Sequence, residues 1–266
     1  MNQTNSQNKS TFAAAFLFLS KEKRKALKTV YAFCSTVDDA VDIASDNALA
    51  KLGNWKQEIE FLYAKTPKTL IGKNLLRYID KFNLKKEHFM LIVEGVAQDL
   101  TVKRYKTFKD LEFYLYRVAS AVGFLCINIF GYKNPKTIEY AKYTGYALQL
   151  TNIIRDVAED VKMGRIYLPL EDLKKFNLSE TDIINCKMSK EIKNLLAFQA
   201  ERAKTYYALA KKILPKEDYS KMLPARIMGS LYRSILDKIE KKGFEVFSKK
   251  IKLTKFEKIK AVISAF

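Results

Sequence analysis

Residues 137–160 read TIEYAKYTGYALQLTNIIRDVAED. Apolar side chains recur three and four places apart along the whole stretch, the period of an amphipathic α-helix. Its last ten residues carry Asn152, Asp156 and Asp160 at a spacing of four. At about 100° per residue these three fall within roughly 80° of arc, and Gln149 and Glu159 lie on or beside the same stripe. Gly145, two turns earlier, removes side-chain bulk and would let a ligand approach. Carboxylates one turn apart are both charged at neutral pH, at an ordinary pKa of about 3.9. Like charges at that spacing destabilise a helix unless something positive sits between them.

The same periodicity runs through residues 23–44, 111–132 and 222–244, and no strand alternation competes with it. Only 9 Gly and 5 Pro punctuate 266 residues, which favours long helices over the turns of a β-sandwich. Breaks are expected at Thr66-Pro67, Gly131 to Pro135, Gly164 to Pro169, Leu214-Pro215 and Gly243. The expected fold class is all-α, a single-domain helical bundle of ten or more helices over residues 11–266. Residues 1–10 (MNQTNSQNKS) read as a flexible polar N-terminus, and no linker justifies a split.

Composition excludes several classes. With 48% hydrophobic and 29% charged residues, the chain can bury a packed core and is not disordered. Lys and Arg outnumber Asp and Glu by 48 to 29, a net +19, which suits phosphate-bearing partners or an anionic surface. The lysines are spread through the chain instead of forming an arginine-rich stripe, so no nucleic-acid partner is expected. Cys34, Cys126 and Cys186 are odd in number, far apart and without metal-like spacing, as in a reducing cytoplasm. The lone histidine, His88, reads as a surface residue and leaves no stock for His-rich metal sites or a Ser-His-Asp triad. The run TFAAAFLFL makes a poor signal peptide, and no run approaches the ~20 apolar residues of a membrane span.

A second acidic cluster, DDAVD at 38–42, ends another periodic segment, with Asp38 and Asp42 on one stripe and Asp39 about 100° around. Hard oxygen ligands, one or two carboxylates per ion and room for substrate phosphates are what Mg²⁺ takes. Two such stripes facing each other would clamp a diphosphate through bridging Mg²⁺ and neutralise the charge of a leaving group. A short acidic motif also fits a solvated helix face. Both clusters, however, follow apolar segments (VYAFCSTV and GYALQL), where helices enter a core.

At these residues the sequence resembles the squalene/phytoene synthase family of head-to-head isoprenyl diphosphate synthases, most closely its bacterial presqualene diphosphate and phytoene synthase branch. The resemblance runs in order through residues 11–34, DDAVD at 38–42, YLYRVASAVG at 114–123, QLTNIIRDVAEDVKMGRIYLPLEDL at 149–173 and YRSILDKIEKKGFEVF at 232–247. It implies an isoprenoid synthase fold with two acidic helices facing across a central cavity, and two or three Mg²⁺ ions holding two prenyl diphosphates. Asp38, Asp39 and Asp42 match the first aspartate motif, and Asn152, Asp156 and Asp160 the second. The implied reaction ionises one allylic diphosphate; the double bond of the second substrate attacks the carbocation, giving a cyclopropylcarbinyl diphosphate that some members rearrange further.

Other residues suit that chemistry. Arg155, Lys162 and Arg165 offer positive charge to a leaving diphosphate, with Gln149 beside them. A carbocation needs a dry pocket with aromatic faces, for which Phe12, Phe16, Tyr31, Tyr114 and Tyr167 are candidates. Residues 118–123 (VASAVG) are small enough for close helix packing or tail space, and GRIYLP is expected to fold Arg165 and Tyr167 back over the diphosphates. One position departs from the family: Ser35 stands where an Arg usually follows the Cys of YAFC, and Lys28 is a compensating cation to consider. No G-x-G-x-x-G loop is present, but helical members that use NADPH lack that loop, so reduction stays open. The segment 248–266 sets Phe256, Ile259, Ile263 and Phe266 near helical spacing with lysines around them. It reads either as a helix packed on its own domain or as a peripheral contact with the anionic inner face of the membrane, with no C-terminal anchor expected.

Overall fold

The structure, a computed structural model, describes residues 15–42 and 47–266. Phe12, the predicted N-terminal segment 1–10 and the side chain of Asp42 lie outside the described residues. The described chain is helical, its one isolated β-bridge being a parallel contact between Arg104 and Ile166. The helices are α1 (Lys21–Asp42), α2 (Ala48–Tyr63), α3 (Leu70–Ile79), α4 (Lys86–Thr101), α5 (Phe108–Leu115), α6 (Ala121–Phe130), α7 (Lys136–Lys162), α8 (Leu170–Lys175), α9 (Glu180–Ile184), α10 (Lys190–Ile213), α11 (Leu223–Lys241) and α12 (Lys255–Ile263). A π-helical turn, Tyr116–Ser120, joins α5 to α6, and a 3₁₀ turn, Lys216–Asp218, precedes α11.

Each expected break ends or starts a helix. Gly131, Gly164 and Gly243 follow α6, α7 and α11 with φ of +83°, +74° and +65°, the left-handed conformation that stops a helix. Thr107, Ser179 and Thr254 start α5, α9 and α12 with capping boxes that close on Asp110, Asp182 and Glu257.

Helix α7, 27 residues long, is the axis of the molecule and packs on α5, the π turn, α6, α10 and α11. Its first turns, with Tyr140 and Ala141, belong to a core shared with α1, α4 and α6. Its later turns, with Leu150, Ile153, Ile154 and Val157, belong to a second core shared with α5, α10 and the end of α11. The acidic stripe therefore begins where the two cores meet.

One expectation needs correction. Because the helix continues through the π turn, Phe108–Phe130 forms 23 residues long and apolar enough, by length and composition, to cross a membrane. Half of that apolar stretch is buried: Leu111, Leu115, Phe124 and Leu125 pack inside the cores, and it serves the fold as a core helix. The same turn gives Gly145 a second role beside the open space it leaves for a ligand. A Cβ there would stand 2.9 Å from the backbone of Ala119 and Ser120, so its bareness lets α7 touch the π turn. On the opposite side, a Cβ on Gly95 of α4 would stand 2.7 Å from Arg117 and Val118, so the turn is clasped between two glycines.

Candidate active site

A cavity of about 250 Å³ runs between α1, α6, α7 and α11. Chain order gives it a direction. Along α7 its lining passes from Tyr140 and Ala141 to Gln149 and Asn152, along α11 from Pro224 to Tyr232, and along α1 it reaches Tyr31, Ser35 and Asp38. Along α6 it runs the other way, from Val122 to Phe130. One end is thus polar, with Asp38 and Asn152 from the two acidic stripes on the walls of one cavity. The other end is apolar, closed by Ile127, Phe130 and Tyr140, with Phe16 also in the wall. Val118, Ala119, Val122 and Gly123 line its length, so the small residues of that segment do provide open space. Cys34 and Cys126 line it as well. Burial raises both thiols, Cys126 to about 12, so neither supplies a thiolate.

Beyond Asn152 the stripe continues into an electrostatic lock. Arg155, itself buried, grips Asp156 with both arms of its guanidinium, Nε to Oδ1 at 2.8 Å and Nη2 to Oδ2 at 2.5 Å. Lys250, from the segment after α11, reaches the same carboxylate at 2.6 Å and Glu159 at 3.6 Å. Burial pushes the Asp156 carboxyl up, but hydrogen bonds and charge from Arg155 and Lys250 outweigh it and hold the pKa below the usual carboxylate range. Asp160 goes the other way: burial first, then the charge of Asp156, raise it well above that range, against the pull of Arg165.

Next to Asp160 lies a group that no sequence pattern announced. Asp99, buried on α4, accepts from the hydroxyls of Tyr167 at 2.8 Å and Tyr114 at 3.1 Å, whose rings stack 5.2 Å apart. The Arg165 guanidinium stands 4.0 Å from the same carboxylate. The segment after α7 is held there by backbone bonds from Ile166 to Lys103 (3.1 Å) and from Leu170 to Tyr105 (2.9 Å). Burial, followed for Tyr167 by the charge of Asp99 and for Tyr114 by the Tyr167 hydroxyl, keeps both phenols firmly protonated.

The donor set fits a hard divalent cation. The amide oxygen of Asn152 is buried without a hydrogen-bond partner, while its nitrogen donates to Gln149 at 3.2 Å. Asp38 and Asn152 share the cavity, and Asp160 feels the charge of Asp156, which Arg165 only partly offsets. Among the described residues no three acidic, His or Cys side chains yet converge on one point. Both oxygens of Asp156 are taken by Arg155 and Lys250, so the charge that a metal would bring is supplied by the protein itself.

Several expected residues sit elsewhere than the sequence suggested. Arg155 is spent on Asp156 and does not line the cavity. Tyr114 and Tyr167 stand around Asp99 and not on the cavity wall, Tyr167 and Arg165 lining a small cleft with Asp160. Lys162 and Lys28 are exposed and off the cavity, so Lys28 does not stand in for the charge absent at Ser35. His88 is not a surface residue: its side chain is 13% exposed and its ring lies 5.1 Å from that of Phe124. Tyr31, half-buried, has its hydroxyl raised to about 12, by burial first and then by Tyr232 and Asp38 nearby. Asp99 and Lys250 were missed because each gains its meaning from a tertiary contact. Tyr232 opens one of the stretches that carried the resemblance.

Similarity to known proteins extends along nearly the whole chain. The sequence model of the family described as squalene/phytoene synthase matches residues 6–257. A phytoene synthase of Arthrospira platensis is 34% identical over 272 residues, covering 97% of this chain and 88% of that protein. A presqualene diphosphate synthase of Rhodopseudomonas palustris is 36% identical over 253 residues, covering 94% and 90%. The crystal structure of a dehydrosqualene synthase in complex with ligand superposes with a TM-score of 0.90 at 29% identity, over 99% of this chain and 93% of that one. On fold, sequence and the two acidic stripes at one cavity end, the chain belongs to the squalene/phytoene synthase family.

Proposed function

We propose that this protein condenses two prenyl diphosphates head to head, joining two molecules of farnesyl diphosphate into presqualene diphosphate. The observation that carries the reading is the two-ended cavity: oxygen donors of both stripes at one end and a long apolar lining at the other. The family and the relatives support the prenyltransferase class. The choice of farnesyl over geranylgeranyl diphosphate leans on the 36% identity to a presqualene diphosphate synthase, and the 34% identity to a phytoene synthase makes that reading, on the longer substrate, its nearest rival. Mg²⁺, held by Asp38, Asp42, Asn152 and Asp160, and by Asp156 once Arg155 and Lys250 release it, would neutralise the charge that gathers on the departing diphosphate.

The residues of the chain do the rest. In the first step the C1–O bond of one substrate breaks and its electron pair leaves with diphosphate. The double bond of the second substrate attacks the resulting cation, and a proton is lost as the cyclopropane closes. Lys250 and Arg165 stand at the acidic end, where they can meet that diphosphate's charge. The apolar lining orients the tails and keeps water from the cation. Tyr114 and Tyr167, firmly protonated, are fixed by Asp99 as hydrogen-bond donors and do not compete as bases.

The test is incubation of purified protein and Mg²⁺ with radiolabelled farnesyl or geranylgeranyl diphosphate, without and with NADPH, followed by product chromatography. A thirty-carbon product is expected from farnesyl diphosphate, and NADPH dependence would report reduction. Asp160→Asn, which keeps the size of the side chain and removes its repulsion with Asp156, should lower kcat about a thousandfold with the helical spectrum unchanged. Asp156→Ala is the poorer variant, because it leaves the buried Arg155 unpaired at a cost of about 3–5 kcal/mol. No product from either substrate, with the fold intact, would favour a lipid-binding or assembly role, for which Ser35 is the motivating departure.

A further inference from the structure

Helix α12 leaves one face uncovered. Phe256, Ile259, Ile263 and Phe266 are 76%, 58%, 66% and 65% exposed; at about 100° per residue the first three form one stripe, and Phe266 follows just past the helix end. The opposite side holds the helix in place: Ala261 is buried, its carbonyl accepting from Ser230 of α11, and Glu257 is ion-paired with Lys238 at 2.6 Å. The stripe is extended by a second segment. Leu17 and Phe18 are 66% and 50% exposed, and the Phe18 ring meets Phe266 edge-on at 5.3 Å.

We infer that this face, Leu17, Phe18, Phe256, Ile259, Ile263 and Phe266, docks on an anionic membrane surface. Charge decides between the occupants. Exposed Lys255 and Lys260 flank the stripe on the helix, while the helix's own acid, Glu257, is turned to Lys238. The chain as a whole carries +19. Lysines around an apolar stripe extend their stems over it and present ammonium groups to lipid phosphates. A second copy of the same lysine-bordered face would meet like charge.

Position in the fold gives the contact a purpose, and here the inference rests on the function proposed above. Phe16, directly before Leu17, lines the cavity, as do Pro224 and Ala225, next to Arg226, whose guanidinium donates to the carbonyl of Phe266. The exposed face therefore abuts the apolar end of the cavity, opposite the acids. An oily product would leave toward lipid without passing the diphosphate end.

Flotation or co-sedimentation of the whole protein, with no substrate, tests the docking independently of catalysis. The probes are vesicles of phosphatidylcholine alone and vesicles of equal parts phosphatidylcholine and phosphatidylglycerol. Wild type should bind the anionic vesicles, weakly or not at all the neutral ones, and be released by salt. Phe256→Ser with Ile263→Ser should lower binding about tenfold or more. Lys255→Glu with Lys260→Glu, which leaves the apolar residues in place, should do the same. Circular dichroism and turnover of detergent-dispersed substrate should stay at the wild-type level in both. Wild type left in the supernatant, either variant bound like wild type, or a wild-type dimer in sedimentation velocity that the serine variant dissolves would overturn the assignment.

Discussion

His88 shows what burial does to one titratable group. Its Nδ1 is buried without a hydrogen-bond partner and its ring packs on Phe124. Burial lowers its pKa from the usual 6.5, with Glu87 opposing and Lys85 adding to the shift. The sign follows from linkage: below about 6.5 the unfolded chain takes up a proton that the folded one refuses. Stability is therefore full above that pH and falls as the pH drops through the lower folded value. As the chain has one histidine, its ring resonances in a proton NMR titration should give a single midpoint below 6.5, and a midpoint at or above it would refute the buried neutral ring. His88→Gln should flatten the loss of stability between pH 6.5 and the folded pKa. The same scale marks the limit of reading from sequence. Asp38, Gln149 and Asn152 could be found because helical spacing alone puts them on stripes. Asp99 and Lys250 could not, since nothing local distinguishes an aspartate that will meet two tyrosines 15 and 68 positions away.

At the scale of elements, helix existence and ends were legible, because left-handed glycines and prolines act locally. The π turn was not: residues 111–132 keep an even apolar periodicity, and only packing places Tyr116–Ser120 between Gly95 and Gly145. Such turns are frequent at functional sites, and this one contributes Val118 and Ala119 to the cavity wall. A methyl at Gly145 would meet backbone atoms that have nowhere to go. Gly145→Ala should cost about 1–3 kcal/mol and lower Tm by several degrees. Gly53→Ala, on an exposed face of α2 with nothing within 4 Å, should be neutral or stabilising by up to about 1 kcal/mol. Thermal melts of the two variants check the pair, and equal Tm values would mean that the turn can yield.

For the whole molecule, the all-α class followed from one period repeated along the chain and from scarce Gly and Pro. Cavity depth did not, because it depends on where α6 stops relative to the start of α7. Phe130, the last residue of α6, closes the apolar end with Tyr140. Phe130→Ala should lengthen the space and raise kcat/KM for geranylgeranyl relative to farnesyl diphosphate by about tenfold, the discrimination a hydrophobic pocket gives. Stability should fall by about 3–5 kcal/mol. Competition assays with both substrates read the ratio, and an unchanged preference would place the length control elsewhere.

The order in which helices line the cavity has one more consequence. Helices α1, α7 and α11 start at the apolar end while α6 ends there, so three of these four helices set the positive poles of their peptide dipoles at that end. Two of those poles lie at the docking face itself: α1 starts three residues after Phe18, and α11 starts three residues before Arg226, which donates to the carbonyl of Phe266. The partial positive charge of both helix starts thus adds to that of the lysines around the face.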